Sequence, residues 1–142
     1  MDSINEESID NIITNLKIIS LVKIDEKLSI RKGHLTLDVS SNLQFIKRWF
    51  FRDSRDFILL FIKDLIRNIH LLFEKINSYK DSLWVLTRIL SEMENAKSGL
   101  LNLITTYSTD PIMIVKFENV NTKFHELIQH GKIKFDEIKC TH

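Results

Sequence analysis

The run His125-Glu126-Leu127-Ile128-Gln129-His130 is one residue longer than a zinc-protease helix motif. That chemistry needs histidines at i and i+4, so that both imidazoles reach one metal from one helix face. Here the spacing is i+5, and at about 100° per residue the two rings diverge by roughly 140°. Gln129 occupies the ligand's place. Glu126 and His130 do share a face, and Cys140 and His142 could join them only if the tail folded back. Exposed polar helix residues are the better reading, and no metal is expected.

Other chemistries find less to work with. A nucleophilic serine would sit in a Gly-x-Ser-x-Gly turn, which is absent, and the one cysteine is Cys140. Phosphate cradles need clustered glycines, but Gly33, Gly99 and Gly131 stand apart. Glu92 and Glu94 fall on the polar side of a helix, His34 at a turn and His70 in a polar stripe. These readings imply a non-enzymatic chain with no cofactor.

The densest local feature is RWFFRDSRDF, residues 48–57. On one continuous helix, Arg48, Arg52 and Arg55 would share a face at i, i+4 and i+7. Arginine forks suit phosphate or carboxylate, and aromatics can stack on bases. Asp53 and Asp56 interleave, which a phosphate-tracking groove would avoid. The consecutive Trp49, Phe50 and Phe51 cannot all lie on one face. A corner between two helices accounts for the segment, with Asp53 or Ser54 capping the second helix. Aromatic and arginine side chains are also what interface hot spots use. Arg48, Trp49, Phe51, Arg52 and Arg55 are therefore the candidate partner-binding residues.

Composition sets the frame for these residues. The 142-residue length fits a single domain, 1–142, with a real core. A hydrophobic share of 44% and a charged share of 27% are ordinary for a folded protein. The formal net charge is +1, where a dedicated nucleic-acid binder shows a clearer basic excess. A lone cysteine makes a disulfide-stapled module a poor expectation and a reducing compartment the default. The acidic MDSINEESID start lacks the form of a signal peptide. The longest apolar run, residues 57–62, is far short of the ~20 residues a bilayer span requires, so no membrane span is expected.

The elements that must position these residues follow from periodicity. Residues 4–24 predict a helix, with Ile9, Ile12, Ile13, Leu16 and Ile19 at three-and-four spacing and Ser3 with Glu6 as a capping box. Residues 27–39 alternate strictly. A Lys32-Gly33 turn sets Ile30 opposite Leu35 and Leu28 opposite Leu37, a small β-hairpin whose apolar side must cover helices. A short helix is expected over 42–52 and a long one over 54–77. The long helix carries one narrow polar stripe of Asp56, Lys63, Arg67, His70 and Glu74, which predicts burial on most of its circumference. Asp81 or Ser82 caps a further helix to about Thr106, with Leu83, Leu86, Leu90, Met93, Lys97, Leu100 and Ile104 at heptad spacing. Asp110-Pro111 reads as N-cap and first helical residue. The last helix presents Met113, Phe117, Val120, Phe124 and Leu127 and is expected to end near Gly131. The expected fold is all-α: a bundle of about five helices with a small N-terminal β-hairpin.

Two stretches carry a family resemblance: KIISLVKIDEKLSIRKGHLTLD, then LQFIKRWFFRDSR at 43–55. The pattern resembles small helical proteins of nucleocytoplasmic large DNA viruses. In these a helix with K-x-x-x-L-S is followed by a short alternating piece, then by R-W-aromatic-aromatic opening a long apolar helix. The resemblance covers residues 16–77. A single Ala and abundant Ile, Lys and Asn suit an AT-rich genome. The resemblance implies a virion or minor capsid-associated interaction protein, located in the virion or host cytoplasm. It would act by protein–protein contact or self-association and has no catalytic residues to carry over. The alternative is a nucleic-acid-associated regulatory factor using Arg48, Arg52 and Arg55, with binding that weakens steeply in salt.

Overall fold

The computed structural model describes residues 6–20, 22–23, 36–37, 55–78, 80–106 and 109–141. Among them are four α-helices: α1 (Glu6–Ser20), α2 (Arg55–Lys75), α3 (Ser82–Thr106) and α4 (Pro111–Thr141). A 3-10 turn, Ile76–Ser78, extends α2. The all-α class holds. The expected 42–52 helix lies outside the described residues.

α3 is the central element. It packs along α1 on one side and α4 on the other, while α2 lies mainly against α4 and more lightly against α1. Lys17 reaches Glu92 at 4.0 Å, and Ile19 lies against Gly99, so α1 runs parallel to α3. α4 runs back antiparallel to α3, with Lys132 reaching Glu94 and Gly131 lying against Leu90. One contiguous core joins all four helices: Ile12, Leu16 and Ile19; Ile62, Ile69 and Phe73; Leu86, Ile89 and Met93; Phe117, Phe124 and Ile128.

The helix starts follow from local chemistry. At α4, Asp110 Oδ1 accepts the amides of Ile112 and Met113, each at 3.1 Å. Its carbonyl accepts Ile114 N at 2.9 Å. Pro111 loses nothing, because its missing N–H would be an orphan at that position. At α3 the carbonyl of Asp81 accepts Val85 N at 3.0 Å, which makes Asp81 the N-cap and Ser82 the first helical residue.

Three expectations need correction. First, α1 stops at Ser20, where Ser20 Oγ donates to the Lys17 carbonyl at 2.8 Å. Val22–Lys23 (β1) then pairs antiparallel with Thr36–Leu37 (β2), Val22 opposite Leu37 and Lys23 opposite Thr36. Among the described residues Leu37 thus meets Val22, so the ribbon seen pairs 22–23 with 36–37 and the expected hairpin over 27–39 is not supported. Leu28, the expected partner of Leu37, lies outside the described residues. An isolated two-stranded ribbon is marginal in water, whereas this pair leans on α3 through β1. The Lys32-Gly33 turn lies outside the described residues.

Second, α4 does not end near Gly131 but continues to Thr141. A Cβ on Gly131 would lie 2.7 Å from Leu90 Cδ2 and 2.8 Å from Phe73 Cζ. The glycine therefore makes room for two neighbouring helices instead of ending its own. Beyond it, Ile138 is buried and Phe135 packs on the core.

Third, the outward face of α2 is broader than one polar stripe. Leu60, Asp64, Leu71 and Lys75 are exposed beside Lys63, Arg67, His70 and Glu74.

Candidate interaction surface

Arg48, Trp49, Phe51 and Arg52 lie outside the described residues, and Arg55 enters only as the first residue of α2. The described surface has to be built from other side chains.

Three groups stand out on it. On α3, Trp84 is 61% exposed, and the Arg88 guanidinium sits over its ring at 4.8 Å from the centroid. One helical turn separates the two residues, so the i, i+4 spacing creates the stack. A guanidinium over an indole face gains cation–π attraction. Near the junction of α3 and α4, Leu101, Ile112 and Val115 are exposed, Ile112 at 68%. On α2, Leu60 and Leu71 are 64% and 45% exposed. Single exposed aliphatics are common on any protein. These are notable because all four helices already bury full apolar faces, so none is needed to complete the core.

Two histidines, His70 and His130, meet at the α2–α4 seam. His70 Nε2 lies 3.0 Å from Glu74 Oε1. The His70 and His130 rings are 5.9 Å apart at 38°, and Phe73 stands equally far from His130 at 46°. His130 is half-buried, whereas His125, Glu126 and Gln129 face solvent. The i+5 spacing thus separates His125 from His130, and the second histidine joins an aromatic cluster. Among the described residues, no group of three or more His, Cys, Asp or Glu side chains comes together to hold a metal. Cys140 is exposed. No described helix is long and apolar enough to cross a membrane.

Ion pairs tie the helices together at their rims. Glu94 receives Lys97 at 3.6 Å from its own helix and Lys132 at 3.8 Å from α4. Such half-exposed pairs contribute at most about 1 kcal/mol each, so they set register more than stability.

Sequence reasoning missed both Trp84–Arg88 and Leu60–Leu71. The first was legible as an i, i+4 aromatic–arginine pair outside the heptad positions. The second was hidden because α2 reads as almost wholly apolar. Compared with known proteins, the chain matches no family model, no curated protein and no solved structure.

Proposed function

We propose that the protein is a non-enzymatic interaction protein, a virion or minor capsid-associated component that works through helix-mediated protein–protein contacts. The observation that supports this reading is Trp84, largely exposed and stacked under Arg88 on a helix whose opposite face is fully packed. Trp and Arg are the residue types that interface hot spots favour. A rigid bundle presenting them on a helix is a suitable docking element. The viral setting rests on the resemblance of residues 16–77.

The test is capture during infection. Particles purified from cells infected with the encoding virus should contain the chain, cross-linked to a structural protein of the particle. Trp84→Ala should lower incorporation at least about tenfold, the effect of losing a hot-spot side chain, with helicity unchanged by circular dichroism. Particles that lack the chain would overturn the reading.

A further inference from the structure

On α2, Leu60, Asp64, Arg67 and Leu71 all face solvent. At about 100° per residue they fall within an arc of about 60°. Leu60, Arg67 and Leu71 sit near the centre of the exposed face, where a solvated helix ordinarily carries charge. Reading along the stripe gives apolar, acidic, basic, apolar.

That order is its own complement when reversed. A second α2 laid antiparallel, about a two-fold axis midway between residues 65 and 66, sets Leu60 against Leu71 of the second copy. The same operation sets Asp64 against Arg67, and symmetry repeats both contacts. Within one chain Arg67 Nη2 already donates to Asp64 Oδ1, so the pairing would close a ring of four alternating charges between two leucine contacts. Parallel pairing would set Asp64 on Asp64 and Arg67 on Arg67. Like charges facing each other in this way destabilise.

We propose that α2 forms a two-fold antiparallel contact with a second copy of this chain through Leu60, Asp64, Arg67 and Leu71. This deepens the interaction reading above by naming one partner and one face. It leaves Trp84 and Arg88, on α3, available for other contacts.

The test is light scattering and sedimentation on the full chain. The mass should rise with concentration towards twice 16.8 kDa. Leu60→Glu and Leu71→Glu should each raise the dimer Kd at least about tenfold. Both positions are exposed, so the monomer keeps its helicity, which circular dichroism checks. Asp64→Arg gives a stripe of two positive charges, and Arg67→Asp one of two negative charges. Each variant alone should be monomeric, and an equimolar mixture should recover dimer as a heterodimer. That recovery cannot come from the pair within one chain, which both variants have lost. A chain that stays monomeric at every concentration overturns the contact, and so does a dimer indifferent to both leucine substitutions. Mixed charge variants that stay apart overturn it as well. None of these results depends on whether virus particles contain the protein, so the two readings can fail separately.

Discussion

Gly99 marks a close approach of α1 and α3. A Cβ there would lie 1.8 Å from the Ile19 carbonyl oxygen and 2.7 Å from its carbonyl carbon. The obstruction is backbone, so no rotamer can relieve it. Gly131 is also crowded, but its nearest neighbours are the ends of the Leu90 and Phe73 side chains, which can shift. A glycine inside a helix costs about 1 kcal/mol relative to alanine, a cost that Gly131→Ala would recover in part. Gly99→Ala should therefore destabilise the fold by about 3 kcal/mol or more, the upper range for overpacking. Gly131→Ala should cost about 1 kcal/mol or less. Urea midpoints of the two variants check the order, and equal midpoints would contradict the geometry. Trp84→Ala should change stability by less than about 1 kcal/mol, since most of the side chain is already in water.

At the level of the element, α4 gives two contrasting cases. Its start was legible because everything needed is local: one carboxylate, two amides and a proline that needs no donor. Asp110→Ala should cost about 1 kcal/mol, the usual loss for an N-cap, and Asp110→Asn should restore most of it, both read from thermal midpoints. Its end was not legible. A glycine after a periodic run reads as a stop signal, but Gly131 is there for Leu90 and Phe73, residues of other helices that no local window contains. The same limit explains the strand register. Val22 and Leu37 meet across a long stretch of chain, whereas the local alternation about Lys32-Gly33 favoured a nearer partner. The width of the α2 face failed for a related reason. Apolar periodicity shows which residues can be buried, but neighbours decide which ones are, and among the described residues α2 packs mainly against α4 and more lightly against α1. The arginine–aromatic stretch at 48–55 remains a sequence feature whose surroundings lie outside the described residues. Because α4 carries Ile138 into the core beyond Gly131, removing residues 132–142 should cost about 2 kcal/mol or more, the value of one buried aliphatic side chain. A truncated chain with an unchanged urea midpoint would mean that the end of α4 is not docked.

For the whole molecule, the question is whether the four helices melt together. α1 has the fewest residues of the four and lies farthest in sequence from its partner, yet Leu16, Ile18 and Ile19 are among its buried side chains. It buries them mainly against α3, which also holds α4. A 15-residue helix is marginal in water by itself, so α1 depends on its packing against α3 and, more lightly, α2. α3 packs against both α1 and α4, so losing either neighbour would expose part of its buried face, which includes Ile89, Met93 and Ala96. The helices should therefore unfold as one unit. Far-ultraviolet circular dichroism should give the same urea midpoint as Trp84 fluorescence, with Trp49→Phe leaving Trp84 as the sole indole. Two separated midpoints would mean that α1 detaches first, and the single-domain expectation for 1–142 would then fail. Coincidence has a functional consequence. A unit that melts only as a whole presents Trp84 on α3 and the Leu60–Leu71 stripe on α2 as fixed surfaces. A docking surface that is already ordered loses little freedom on binding, so the same rigidity that makes unfolding cooperative would favour both contacts proposed for this chain.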